Sequence, residues 1–199
     1  MNLIYNNKSK LVEKVFNNVY DKYDVMNDIM SLGAHRLWKK NLVSWINPLK
    51  GSKIIDVASG TGDIAKLCSD HTNNKCDIYC VEPNKNMMLK GKEKLKDQKN
   101  LRWFLASAEK LPFKDDTFDF YVISFGIRNV SNFDKSLHEA MRVLKKGGRF
   151  FCLEFSKVEN ELLKIIYKNY SNLIPTIGKK IVGDAEPYEY LVNSIKHFY

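Results

Sequence analysis

"KIIDVASGTGDIAKL", residues 53–67, is an apolar run cut by an acid, then by two glycines bracketing Thr61, before apolar residues resume at helical spacing. The first half reads as a buried strand and the second as a helix. Gly60 and Gly62 give the junction backbone freedom that other residues lack, so a ligand can approach the chain closely there. The free N–H groups of the following helix then face that ligand. A tight structural turn is the alternative reading of the same residues.

Similar runs recur at regular intervals: "DIYCVE" 77–82, "LRWFLA" 101–106, "FDFYVIS" 118–124 and "RFFCLEF" 149–155. Helical patterns lie between them. In 84–97, Asn84 caps the start, and Met87, Met88, Gly91 and Leu95 form the apolar stripe. In 132–144 the stripe is Leu137, Met141 and Leu144, and "KKGG" stops the helix at Gly147. Strands alternating with helices predict an α/β fold, a mostly parallel sheet with helices on both faces and right-handed crossovers.

The 199 residues make a single domain with three parts. Residues 1–50 form an N-terminal helical extension, 51–156 the α/β core and 157–199 a further helical segment. In the extension, Leu11, Val15, Val19 and Tyr23 fall four apart on one stripe. Leu37, Trp38, Leu42, Trp45 and Ile46 form a second, with Lys39 and Lys40 expected to face elsewhere.

Formal net charge is +9. The lysines are scattered and carry no nucleic-acid motif, so a solvated surface is the first reading and an anionic membrane surface the second. No run approaches the ~18 apolar residues of a membrane-spanning helix. The opening "MNLIYNNKSK" lacks a secretory core and lacks arginine. Cys68, Cys76, Cys80 and Cys152 show no paired ligand spacing, so no metal is expected, and they suit a reducing compartment.

In an open parallel sheet, ligands bind beyond the carboxyl ends of the strands. Strand one ends in the glycine turn. Strand two ends in Glu82, placed to grip a ribose diol through two charge-assisted hydrogen bonds. A glycine turn followed by an acid also describes a nicotinamide-dependent oxidoreductase. The turn reads G-T-G rather than G-x-G-x-x-G, however, which leaves a pyrophosphate site incomplete. After strand three, "ASAEKLPFKDDTFDF" (106–120) puts Ser107 and Ala108 where an adenine ring would lie. Asp56 is expected to fix the glycine turn rather than to react.

This composite resembles the class I S-adenosylmethionine-dependent methyltransferases. The segments 15–39, 124–130, 142–160 and 174–195 narrow the resemblance to the ubiquinone/menaquinone C-methyltransferase family. They contain YD-x-MND-x-MS-x-G-x-HR-x-W and FGIRN, and the likeness runs from about Lys14 to the last residue. "CLEFSKVEN" (152–160) is most similar to the ubiquinone branch. The resemblance implies a Rossmann-like fold, S-adenosyl-L-methionine as donor, and methylation of a ring carbon of a polyprenyl methoxy-benzoquinol. Alternatives are demethylmenaquinol methylation and a non-catalytic scaffold subunit of a quinone-synthesis complex.

Carried over by position, Gly60, Thr61, Gly62, Glu82, Ser107, Ala108 and Ser124 are the expected cofactor contacts. Arg128 is the expected catalytic residue, stabilising a phenolate, or else a loop-holding partner of an acid. Asn129 would orient the ring. Tyr23, Asp24, Asp28, His35 and Glu154 are the candidate bases, with none chosen. Ser59 and Ser107 stand where members commonly have Gly and Asn or Asp. An apolar substrate implies peripheral contact with a membrane, through the helix around Trp38 and Trp45. It also admits other quinone-biosynthesis enzymes as partners, and an oligomer. The setting is the matrix side of the mitochondrial inner membrane, or the cytoplasmic face of a bacterial inner membrane. Family members run on for roughly fifty residues past the point matching Tyr199, so strand five is expected at a sheet edge with unpaired backbone groups.

Overall fold

Strand β1 (Lys53–Val57) lies at the centre of a five-stranded, wholly parallel sheet in the computed structural model, which describes residues 2–156, 158–183, 185–196 and 198. The order is β3-β2-β1-β4-β5, with β2 at Asp77–Glu82, β3 at Leu101–Leu105, β4 at Phe118–Ser124 and β5 at Leu144–Leu153. Ile55 pairs with Tyr79 on one side and with Tyr121 on the other. The chain builds outward from β1 to β3, then crosses to β4, so a crevice opens above the carboxyl ends of β1 and β4.

The unbroken apolar run of β1 is explained by cover on both faces. Ile54 packs with Ile78, Cys80 and Val122 beneath Leu42 and Ile46 of α3 (Ala34–Ile46) and Ile64 and Cys68 of α4 (Asp63–His71). Ile55 and Val57 pack with Val81, Tyr121 and Ile123 against Ala140 and Val143 of α6 (Phe133–Val143). Each such fully buried aliphatic side chain stabilises the fold by about 1.5–3 kcal/mol. Between β2 and β3 runs α5 (Lys85–Lys94), capped by the Asn84 side chain, which accepts from the Met87 amide. Met87, Met88, Gly91 and Leu95 are its buried stripe, as the spacing predicts.

A second apolar cluster joins helices outside the sheet. It unites Val19 of α1 (Asn2–Val19), Met26 and Met30 of α2 (Tyr23–Ser31), Ile174 of α7 (Glu161–Val182), and Tyr188, Leu191 and Ile195 of α8 (Glu186–Lys196). Helix α7 continues through Pro175, which gives up one backbone N–H there.

Three expectations are corrected. Helix α6 ends at Val143, not at Gly147, because Leu144 is extended (φ −76°, ψ 135°) and pairs with Phe118. "KKGG" is instead a bulge inside β5, where the partner of Phe120 is already Arg149. Gly147 takes φ +79°, and a Cβ on Gly148 would sit 2.9 Å from the Lys145 carbonyl oxygen. Met141, assigned to the apolar stripe of α6, is exposed. In α3, Leu42 and Ile46 are buried and Lys40 exposed as expected, but Leu37 and Trp45 point outward, Trp38 is partly exposed, and Lys39 is buried beside an acid of α4.

Candidate functional site

The glycine turn is built around two buried carboxylates. Asp56, near the end of β1, accepts from the Ser59 hydroxyl at 2.7 Å and from the Ala65 amide, which ties the turn to α4. Ser59 needs no left-handed backbone, so its side chain costs the turn nothing. Glu82, at the end of β2, accepts from the Gly60 amide at 2.8 Å and from the Asn84 amide at 2.9 Å, one bond per carboxylate oxygen. Burial pushes both carboxyls up to about 7, against the amides and the hydroxyl that favour the charged form. Each Glu82 oxygen keeps a lone pair for a further donor.

Backbone strain collects here. Ala58 and Phe125, just past the ends of β1 and β4, both adopt positive φ (+53° and +55°) without being glycine. Gly126 is required beside them, since a Cβ there would meet the Ala58 Cβ at 2.5 Å. Gly60 (φ +59°) faces Met87 and Tyr23, which a Cβ there would touch at 3.4 and 3.6 Å. Gly62 (φ +84°) has a different neighbourhood: a Cβ would lie 2.6 Å from Leu95 and 3.0 Å from Trp103, so it lets α5 and β3 close on the turn.

A cavity of about 210 Å³ lies above these strand ends. Gly60 and Glu82 form its floor, Ser107 and Ala108 one wall, and Phe125 and Asn129 another. Phe16 of α1 and Tyr23 of α2 form the roof, their rings 5.9 Å apart. The roof is tied down by the Asn17 carbonyl, which accepts from Asn84 at 2.8 Å and Asn86 at 3.1 Å, and by Lys90 reaching the Asp21 carbonyl. A smaller hollow of about 20 Å³ adjoins it, lined by Asp56, Ser59, Thr61, Lys39 and Ser124. The Ser124 hydroxyl is buried there with no hydrogen-bond partner among the described residues. An orphaned hydroxyl at the end of β4 fits a site made for a polar ligand.

Thr61 is engaged differently. Its hydroxyl contacts Asp24 of α2 at 3.3 Å and Lys94 at 3.4 Å. Lys94 also pairs with Asp24 and Asp63, each at 2.9 Å, and buried Lys39 pairs with Asp63 at 2.8 Å. Burial opposes the charge on Asp63, yet Lys39 and Lys94 hold its carboxyl well below the usual carboxylate range. This network binds α2, α3, α4 and α5 behind the turn. Nothing in the local spacing announces it, because its members are far apart in sequence.

Arg128 lies outside the 210 Å³ cavity. Its guanidinium donates to Glu154 Oε1 at 2.6 Å and to the Phe125 carbonyl at 2.8 Å, and its Nε reaches the Ser194 hydroxyl at 3.4 Å. Asn129 does line the cavity, and its carbonyl accepts from the Tyr190 hydroxyl at 2.9 Å. Among the candidate bases, Tyr23 is pushed up to about 12 by burial, so it remains a phenol. Asp28 is held down to about 2 by Arg36 and pairs with His35 at 2.9 Å. Burial lowers the His35 pKa, against the hydrogen bond to Asp28 that raises it. Asp24 belongs to the lysine network. Glu154 sits with Arg128 at the end of β5.

The family model described as the ubiE/COQ5 methyltransferase family matches residues 4–199. The ubiquinone/menaquinone biosynthesis C-methyltransferase of Rickettsia massiliae is 52% identical over 98% of this chain and 81% of its own length. That of Rickettsia bellii is 51% identical over 97% and 80%. Among solved structures, an S-adenosylmethionine-dependent methyltransferase from Aquifex aeolicus superposes with a TM-score of 0.57 over 73% of this chain and 87% of its own, at 21% identity. The YcgJ protein of Bacillus subtilis gives 0.57 over 69% and 58%, at 24% identity. At that identity the two structures speak for the fold alone.

Proposed function

The chain belongs to the ubiE/COQ5 methyltransferase family, and from that premise we propose that it methylates a ring carbon of a polyprenyl methoxy-benzoquinol in the ubiquinone branch of quinone biosynthesis. The cofactor of the family is S-adenosyl-L-methionine, which when bound supplies an electrophilic methyl group on a sulfonium sulfur. The observation that carries the reading is Glu82, whose carboxylate is aimed by the Gly60 and Asn84 amides while each oxygen keeps a free lone pair. That donor set suits a ribose diol. The ubiquinone branch is supported by "CLEFSKVEN" (152–160).

In this reading Glu82 holds the ribose and Gly60 lets the cofactor lie against the backbone. Ser107 and Ala108 flank the adenine, and the unpartnered Ser124 hydroxyl takes a polar group of the methionine part. Thr61 and Gly62 act by holding the turn, one through Asp24 and Lys94, the other by admitting Trp103. Phe16 and Tyr23 exclude water from above. Arg128 acts as a positioning residue, since its guanidinium is committed to Glu154 and to the Phe125 carbonyl.

Among the described residues, no helix is long and apolar enough to cross a membrane. The exposed Trp45 and Leu49 support peripheral contact with the membrane that stores the quinone. The bacterial source of the relatives favours the cytoplasmic face of a bacterial membrane over the mitochondrial matrix. Isothermal titration tests the cofactor assignment. S-adenosylhomocysteine should bind with micromolar affinity and NAD should give no heat; the reverse pattern would sink the proposal.

A further inference from the structure

Helix α7 carries apolar side chains on two opposite faces, and one of those faces is exposed. The inner face is fixed to neighbouring helices. Ser171, Ile174 and Gly178 are buried, a Cβ on Gly178 would collide with the Tyr188 ring of α8, and the Tyr170 hydroxyl donates to the Ile29 carbonyl of α2. On the other face Leu162, Ile165, Ile166 and Leu173 are between 56% and 68% exposed. By helical spacing these four share a sector about 100° wide. The sector runs on through the exposed, uncharged Asn169 and Thr176 to Lys180. A surface helix ordinarily turns its polar side outward, so this outer stripe requires a partner.

Charge says what that partner is. Residues 162–182 hold four lysines and no acid. The one acid of the helix, Glu161, stands in its first turn and pairs with Lys164 at 3.2 Å. Lys179 and Lys180 are exposed at the other end. Leu32, 78% exposed on the α2–α3 turn, borders the same hollow as Tyr167 and Tyr170 of α7 and adds to the patch. An apolar stripe framed by lysines complements a surface that is negative at its face and apolar beneath. The stripe offers a few hundred Å², short of the ~800 Å² per partner that a stable protein pair buries. A second copy of this chain would also bring its own net charge of +9.

We propose that α7 is a docking helix for an anionic lipid bilayer. It lies in the headgroup plane, with Leu162, Ile165, Ile166 and Leu173 entering the acyl boundary by about 5–10 Å and Lys179 and Lys180 among the lipid phosphates. The assignment rests on the peripheral membrane contact proposed above. It goes beyond that contact by naming a second element, separate from Trp45 of α3, and the charge of the lipid. The helix lies on the bilayer rather than crossing it, since no helix among the described residues is long and apolar enough to span one. Tyr170 ties α7 to α2, whose Tyr23 roofs the 210 Å³ cavity, so docking holds that end of the molecule at the membrane.

The test is flotation and fluorescence of the full chain on vesicles of phosphatidylcholine, with and without about a third phosphatidylglycerol. Leu162→Gln/Ile166→Gln should weaken flotation on the anionic vesicles at least about tenfold. Lys179→Gln/Lys180→Gln should weaken it about tenfold on those vesicles and leave the neutral ones unchanged. In a Cys152→Ser background, which removes the exposed thiol, an environment-sensitive nitrobenzoxadiazole label on Ile166→Cys should shift to the blue when vesicles bind. The same label on Met141→Cys, exposed on α6, should not shift. A silent label at 166 in chains that float, or undiminished flotation of both double variants, overturns the proposal. If Trp45→Ser abolishes flotation while the α7 variants float like the wild type, the α3 contact stands and this one falls. A dimer in solution that Leu162→Gln/Ile166→Gln converts to monomer, with no vesicle binding, gives the stripe to a second copy and overturns the lipid assignment. S-adenosylhomocysteine binding by the same preparations keeps a failure at the membrane distinct from a failure of the methyltransferase reading.

Discussion

Cofactor affinity should depend on pH through Glu82, and the sign follows from its surroundings. Burial pushes this carboxyl up to about 7. Only the ionised form can accept both ribose hydroxyls while keeping its bonds from Gly60 and Asn84. Between pH 8 and pH 6 the ionised fraction drops from about nine-tenths to about one-tenth, so affinity should drop about tenfold, or ~1.4 kcal/mol. Stability of the free protein should move the opposite way. The folded state keeps its proton in a range where an unfolded Glu has lost it. The contribution of Glu82 is therefore full below about pH 4.5 and is lost as pH rises to about 7, and Asp56 behaves likewise. The assay is titration with S-adenosylhomocysteine from pH 5.5 to 8.5, comparing the wild type with Glu82→Gln at each pH so that titration of the ligand cancels. Their affinity ratio should rise about tenfold from pH 6 to pH 8. A flat ratio would refute the placement of Glu82 against the ribose.

Other outcomes follow from the same geometry. Gly60→Val should fold but lose cofactor binding, because a β-branched side chain at φ +59° would occupy the cavity floor; unchanged affinity by calorimetry would contradict the floor. Gly91→Ala places a Cβ 2.2 Å from Trp103 and should cost about 1–3 kcal/mol in urea unfolding, with partial recovery in Gly91→Ala/Trp103→Leu. Arg128→Ala leaves Glu154 buried without its cation and should cost about 3–5 kcal/mol. The same variant should lower turnover while leaving S-adenosylhomocysteine affinity nearly intact, and full activity would remove Arg128 from the mechanism. Flotation with anionic liposomes should weaken in Trp45→Ser; identical flotation would move the membrane contact elsewhere.

The parallel sheet was legible because its three inner strands are short apolar runs covered on both faces, and the crevice followed from strand order. Glu82 was legible for the same reason, since an acid ending the second strand must face that crevice. Where the reading erred, a local pattern had two meanings. "KKGG" has the composition of a helix stop, but Leu144 reaches Phe118 across the sheet and the glycines serve a bulge. Lys39 carries no apolar signal, and only Asp63, brought near by the fold, explains its burial. The roof over the cavity, Phe16 against Tyr23, was equally out of reach, because it depends on how α1 and α2 lie over the sheet. Gly62 was legible as a required glycine, though the reason proves to be Trp103 and Leu95, which approach from α5 and β3.

Methyl-labelled S-adenosylmethionine, offered to the purified chain with a reduced short-chain polyprenyl methoxy-benzoquinol and, in parallel, a reduced demethylmenaquinol, tests the central claim most directly. The account predicts label on a ring carbon of the benzoquinol, at a higher rate than on the naphthoquinol. Label on neither quinol from a chain that binds S-adenosylhomocysteine would contradict it.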